Sequence, residues 1–179
     1  MAPHSPLHIR PATAGDAGVI ADLHVRSWRA HYVDFAPREY LESLDAGAHA
    51  RDYWHPLLAE PPAGARAWVA EVYGAPAGFA SIEPGSEDGA WPVPPGCGWL
   101  HHIHLAPEHI GKGTGRALFA HALHTLHEDG FSEAVLWVYE ANRLARRFYE
   151  AAGWLEDGGR NTRALGGVEL PQVRYRGRL

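Results

Sequence analysis

Residues 109–118 read HIGKGTGRAL. Glycines stand at 111, 113 and 115, and helix-forming residues follow at once. Each glycine loses more conformational freedom on folding than any other residue. A chain that spends three of them in five positions has a backbone that something must approach closely. The segment before it, GWLHHIHLAP (98–107), reads as a strand. The segment after it reads as a helix from about Gly113 to Asp129, with Gly130 as a natural stop. A strand, a glycine turn and a helix start gather unpaired N–H groups and the positive dipole end at one point. That point suits an anion such as a pyrophosphate, and Lys112 and Arg116 add charge at its edge.

Other loop types fit less well. A nucleotide-triphosphatase P-loop needs GxxxxGK followed by Ser or Thr. Here Gly113 stands where the magnesium-binding hydroxyl belongs, and Ala106 where the first glycine belongs. A dinucleotide fold needs GxGxxG soon after the first strand. Here the third glycine, Gly115, is off by one, and the loop lies past the middle of the chain. A plain tight turn needs fewer glycines.

The rest of the chain alternates helical and strand patterns. LHIRPAT (7–13) reads as a first strand, and Thr13 with Asp16 forms a capping box in its Asp variant. Helical spacing runs from there to about Tyr32, from Pro37 to Leu44, and from about Ala48 to Leu58 before Pro61 and Pro62. ARAWVAEVYG (65–74) and PAGFASIE (76–83) read as strands joined by a turn at Gly74-Ala75-Pro76. Residues 84–98 hold four prolines and four glycines and read as a loop. SEAVLWVYE (132–140) is a buried strand, 142–153 a helix, and GWLEDGG starts a further strand. Residues 157–167, DGGRNTRALGG, read as a loop before a last strand, PQVRYRGRL. Along 98–107, strict alternation puts Trp99, His101, Ile103 and Leu105 on one face and Leu100, His102 and His104 on the other. At most two of the three histidines then share a face, too few for a metal site, and no metal is expected.

Length and composition set the frame. The 179 residues, without repeat, linker or low-complexity tract, predict one mixed α/β domain over 1–179. A formal net charge of −5 gives nucleic acid no support as a partner. No apolar run resembles a signal-peptide core or a membrane span, so no membrane partner is expected. Cys97 is the single cysteine, which excludes an intrachain disulfide and fits a reducing compartment; the cytoplasm is the expected location.

A second motif follows the glycine loop: Asn142-Arg143-Leu144-Ala145-Arg146-Arg147-Phe148-Tyr149-Glu150-Ala151-Ala152-Gly153-Trp154. Asn142 and Tyr149, seven apart, share a helix face. Ala145 between them is small enough to let a ligand approach, and Leu144 with Phe148 makes a neighbouring core stripe. Tyr149 could equally be a half-buried tyrosine with a wet hydroxyl.

Together, and in this order of strands and helices, the two motifs resemble those of the GNAT superfamily of acetyl-CoA-dependent N-acetyltransferases. The family's loop, Q/R-x-x-G-x-G/A, corresponds to Ile110-Gly111-Lys112-Gly113-Thr114-Gly115. Ile110 departs from Gln/Arg and removes a polar contact. The resemblance runs from LHIRPAT to VRYR. It implies a mostly antiparallel central sheet of about six to seven strands flanked by helices, with a V-shaped opening between two parallel strands. It implies acetyl-CoA as acyl donor, direct transfer to a primary amine, and no metal or covalent enzyme intermediate. The amine is expected to belong to a small molecule, with a peptide or protein amine as the rival. A non-catalytic acyl-CoA sensor is the alternative of another class, and a homodimer is compatible with the family.

By the same resemblance, the pantetheine arm runs along residues 103–107, past Ile103, and the Leu105 N–H holds the thioester carbonyl. Pyrophosphate sits on residues 111–116, and Asn142 and Arg146 contact the cofactor. Tyr149 protonates the departing sulfur. His101 stands where several relatives carry a glutamate base, with His104, His102, water or an acidic residue as alternatives. It lies about 13 Å along the strand from Leu105, at roughly 3.3 Å per residue. Trp28, Tyr32 and Phe35 are expected to wall the acceptor pocket, Asp34 or Glu42 to hold a cationic amine, and Arg160 and Arg163 to suit a carboxylate.

Overall fold

The computed structural model describes residues 6–179. The first five, part of the N-terminal stretch read above for a signal peptide, lie outside the described residues. In chain order the elements are β1 (Leu7–Pro11), α1 (Ala17–His31), α2 (Arg38–Ser43), α3 (Ala46–His49), a π-helical turn (Ala50–Trp54), α4 (His55–Ala59), β2 (Arg66–Val72), β3 (Ala75–Ile82), β4 (Cys97–Leu105), α5 (Thr114–Glu128), β5 (Glu133–Tyr139), α6 (Arg143–Ala151), β6 (Leu155–Leu165) and β7 (Val168–Arg178). One seven-stranded sheet runs in the order β1-β2-β3-β4-β5-β7-β6.

All neighbours in the sheet are antiparallel except β4 and β5. That parallel pair meets only at Cys97–Glu133, Gly98–Ala134 and Trp99–Val135. Beyond Trp99 the strands part, which is the V-shaped opening expected. α5 covers one face of the sheet over a core of Trp68, Leu100, Leu118, Phe119, Leu136, Trp154 and Tyr175. α1 and the π-helical turn cover part of the other face through Ile20, Leu23, Trp54 and Phe79. Burial of these side chains contributes roughly 1.5–3 kcal/mol each.

The capping box forms: the Thr13 amide donates to Asp16 Oδ2 at 2.8 Å, at the head of a short 3₁₀ turn, Ala14–Asp16, that leads into α1. The helix expected over 48–58 instead runs from Ala46 to Ala59 in three pieces, with Asp45 Oδ1 accepting from the Ala48 amide at 2.8 Å. Three readings of the sequence are corrected. The β2–β3 turn is Tyr73-Gly74, not Gly74-Ala75-Pro76. Both residues are left-handed (φ 51° and 79°), and Val72 already pairs with Ala75, as a tight two-residue hairpin requires. Residues 157–167 are not a loop: β6 runs through them to Leu165, and the turn is only Gly166-Gly167. β6 pairs on one side alone, so an edge strand there tolerates polar residues, and an irregularity between Glu156 and Arg160 absorbs its glycines.

The third correction concerns β4. Ser81 of β3 pairs with His102, but the next residue, Ile82, pairs with Leu100. His101 is therefore the extra residue of a β-bulge, and a bulge breaks period-two alternation. Leu100, Ile103 and Leu105 belong to the α5-side core. His102 and His104 pack on the other face against Phe79 and His24, while His101 stacks on Trp99 with ring centroids 4.2 Å apart.

Candidate active site

A cavity of about 670 Å³ occupies the gap between β4 and β5 and continues toward α1, α2 and β6. One end is the glycine loop. Gly111 and Gly113 hold left-handed φ of 75° and 91°, and a Cβ built on either would meet nothing within 4 Å. The glycines are thus there for their backbone conformation and for the open space above it. Among the described residues, the amides of Gly111, Lys112 and Gly113 donate to no backbone acceptor. Gly113 is the N-cap of α5, so the first-turn amides add to this set. Gly115 has another reason: its Cβ would lie 3.1 Å from Leu105 Cδ1.

The cavity floor is β4. The Ala106 amide donates to Ala77 of β3 at 2.9 Å. Alternate strand amides point the opposite way, so that of Leu105 turns to the side where β5 has left. α6 supplies the far wall. Asn142 caps it, its Oδ1 accepting from the Ala145 amide at 3.1 Å. Tyr149 is 7% exposed and lines the cavity, and its hydroxyl makes no hydrogen bond among the described residues. Burial pushes this phenol well above its ordinary value, so it carries its proton at neutral pH.

His101 also lines the cavity. Its Nδ1 lies 2.5 Å from Glu83 Oε1, on the residue that follows β3. Both side chains are little exposed, at 11% and 15%. Trp91, Trp99 and His102 surround the ring. Behind it lies a set of neutral histidines. Burial above all, then neighbouring histidines, holds His24 and His102 well below the ordinary value and pushes His104 down to about 3. Their ring nitrogens meet neighbouring side chains: His24 Nδ1 is 3.0 Å from His49 Nε2, His102 Nδ1 2.9 Å from Ser81 Oγ, and His104 Nδ1 3.1 Å from Ser27 Oγ.

Of the residues singled out in the sequence, Ile103, Leu105, Ile110, Gly111, Gly113, Gly115, Arg116, Asn142, Tyr149, His101, Trp28, Tyr32 and Arg163 line the one cavity. Lys112 and Thr114 belong to the loop but do not line it, and Thr114 is buried. Arg146 is turned away: it bonds to Tyr175, the Glu140 carbonyl and Glu156. Asp34 is exposed in the turn after α1, Glu42 is exposed, Arg160 pairs with Glu156, and none of the three lines the cavity. Phe35 packs behind Tyr32 and Tyr139. Leu144 is not a core residue: it is 50% exposed, on the cavity rim.

Glu83 escaped the sequence reading, because only antiparallel pairing across the proline-rich loop brings it to His101. Tyr40, Trp91, Trp137, Tyr139 and Gln172 escaped as well, since they come from four separate segments with no common motif. The bulge and the β3 end bring two of the three histidines to one carboxylate: Glu83, His101 and His102 offer ligand atoms within 4.8 Å of one another.

Residues 20–154 match the profile described as the acetyltransferase (GNAT) family. The uncharacterized N-acetyltransferase YuaI of Bacillus subtilis (strain 168) is 34% identical over 135 residues, 75% of this chain and 72% of that protein. The crystal structure of PaiA N-acetyltransferase from Thermoplasma acidophilum in complex with coenzyme A superposes with a TM-score of 0.76. That match has 17% identity and covers 97% of this chain and 99% of that one. YncA from Salmonella typhimurium, with its cofactor acetyl-CoA, superposes at 0.66 with 20% identity, over 97% and 94% of the two chains. No helix among the described residues is long and apolar enough to cross a membrane. A glycine loop with free amides, a parted pair of parallel strands and a family profile across most of its length lead to one conclusion: the chain belongs to the GNAT family of acetyltransferases.

Proposed function

We propose that this protein transfers an acetyl group directly from acetyl-CoA to the primary amine of a small molecule. Family membership makes acetyl-CoA the acyl donor. The observation that carries the reading is the shared cavity: the free amides at Gly111–Gly113, the Leu105 amide, Tyr149 and His101 all belong to its wall or its mouth.

The residues fit the donor. Open space lies above Gly111 and Gly113, their amides are unpartnered, and Arg116 and Arg147 at the same end have no carboxylate partner among the described residues. Residues 111–116 hold the pyrophosphate, and Asn142 borders the pantetheine path. The donor supplies an activated thioester carbonyl. The Leu105 N–H donates to that carbonyl and stabilises the charge that develops on its oxygen. Glu83 accepts the Nδ1–H of His101, which fixes the tautomer and leaves Nε2 free to take a proton from the attacking amine. Tyr149, held protonated by burial, gives its proton to the departing sulfur.

Thiol release from acetyl-CoA, followed with a panel of amino acids, antibiotics, polyamines and peptides, tests the reading. Amine-dependent release is expected. Coenzyme A binding without release for any amine makes the protein a sensor, and release with peptides alone moves the acceptor class.

A further inference from the structure

We infer that the acceptor is an amine that also carries a carboxylate, and that Arg163 and Gln172, held on Trp91, receive that carboxylate. The inference deepens the acetyltransferase reading and rests on it.

The charges on the cavity wall supply the first observation. Among its lining residues are three arginines, Arg116, Arg147 and Arg163, and no aspartate or glutamate. Glu83, the nearest carboxylate to the histidines, lies behind His101 and is bonded to it. Arg116 is on α5 and Arg147 on α6, beside the glycine loop, where the donor's phosphates account for them. Arg163 is on β6, with Tyr40, Tyr139, Ala164 and Leu165 around the other end. Its side chain makes no hydrogen bond and no ion pair among the described residues. Neighbouring arginines of the same two strands are paired: Arg160 with Glu156, Arg174 with Asp157 and Arg176 with Glu133.

The second observation is that this guanidinium is held in place. Its central carbon lies 4.1 Å from the centroid of the Trp91 ring, a stacking distance. Stacking uses the face of the guanidinium and leaves its N–H edge for a bidentate acceptor. The same indole fixes a second donor: Trp91 Nε1 donates to Gln172 Oε1 at 3.1 Å. Gln172 is 5% exposed and lines the cavity. With Oε1 engaged, its amide N–H₂ is the end left to donate, and no protein acceptor takes it among the described residues. Asn161 is the cross-strand partner of Gln172, and Arg163 the next residue along β6 on that face, so the two donors are diagonal neighbours. A positive, donor-only corner in an aromatic cavity fits a planar anion with two acceptor oxygens.

The walls set the rest of the molecule. Trp28, Tyr32, Tyr40 and Tyr139 give a largely apolar surface beside this corner. The amine end must reach His101, which packs against Trp91 at 5.1 Å between ring centroids. One indole thus borders both the anion corner and the base, so amine and carboxylate must be close together in the acceptor, as in an amino acid. With no lining carboxylate, a second ammonium group has no counter-ion, which argues against polyamines.

The test uses the full chain, acetyl-CoA and matched acceptors: amino acids with apolar side chains, their amides, and the corresponding decarboxylated amines. The free carboxylate is expected to raise kcat/KM on the order of tenfold to a hundredfold over the matched amine, as loss of a charged hydrogen-bond partner implies. Arg163→Gln is expected to bring the carboxylated acceptor down to the level of its amine while the KM for acetyl-CoA holds. Equal or better turnover of the bare amines or of polyamines refutes the anion corner and leaves the acetyltransferase reading standing. An unchanged ratio in Arg163→Gln refutes it too. Failure of every amine to release thiol refutes the acetyltransferase reading instead. In that case binding of N-acetyl amino acids to the protein–coenzyme A complex decides about the corner: binding weakened by Arg163→Gln supports it, and no binding overturns it.

Discussion

Acid should unfold this protein through its buried histidines. His24, His102 and His104 are held neutral in the folded state by desolvation, with His49 and His101 adding to the same effect. In the unfolded chain the same rings titrate near pH 6.5. Above that value both states are neutral and stability is complete. As pH falls below it, the unfolded state binds protons that the folded state refuses, and stability drops toward the folded values, about 3 for His104. Each such proton steepens the loss by about 1.4 kcal/mol per pH unit, so three together give a slope of up to about 4 kcal/mol per unit. A domain of ordinary stability, about 5–15 kcal/mol, is exhausted within a few units at that slope. Asp16, held down to about 2 by its hydrogen bonds with Arg10, loses its contribution in the same direction but only as pH falls from the ordinary carboxylate value toward 2, below the range in which the histidine slope is measured. Urea denaturation midpoints from pH 7.5 to 4.5 measure the slope, and His102→Gln should reduce it by about 1.4 kcal/mol per unit. A flat profile across that range, or an unchanged slope in His102→Gln, refutes the reasoning.

Three further outcomes follow from the site. Gly113→Asp places a side chain and a negative charge on a left-handed N-cap that now faces open space; coenzyme A affinity by calorimetry should be lost with the fold retained. Tyr149→Phe should lower kcat about a hundredfold or more, with little change in cofactor binding, where chemistry limits the rate; wild-type kcat would give the proton to water. His101→Ala should lower kcat/KM with the fold retained, and Glu83→Gln should lower it too while Glu83→Asp restores it in part. A folded His101→Ala variant with full rate removes His101 from the mechanism.

The parts of the fold legible in the sequence are those written in local periods. The glycine loop, α5 and its Gly130 stop, and the apolar β5 each depend on neighbours within one turn or one strand. The glycine-loop end of the cavity shared that advantage, since residues 110–116 and 142–149 are each contiguous. What failed was non-local or one residue long. The bulge at His101 changes the direction of a side chain without changing any local propensity, so alternation mis-sorted His101 against Ile103 and Leu105. β6 looked like a loop because an edge strand paired on one side can be polar and glycine-rich. The other end of the cavity drew Tyr40, Trp91, Tyr139, Arg163 and Gln172 from places that meet only after the sheet is assembled, and Arg146, read as a cofactor contact from its motif, turned toward Glu156 instead.

The three paired positions between β4 and β5 make the sheet two panels joined by a short seam. One panel is β1 to β4, the other β5, β7 and β6. On the α5 side a continuous core, from Trp68 and Leu100 to Leu136 and Val173, laces the panels together. Beyond the seam no strand pairing joins their facing edges. The panels are therefore kept in register by packing on both faces of the sheet, the α5 core on one and, on the other, Tyr32 and Leu41 against Leu165, Tyr139 and Leu170, and the opening between them stands without a strand pair across it.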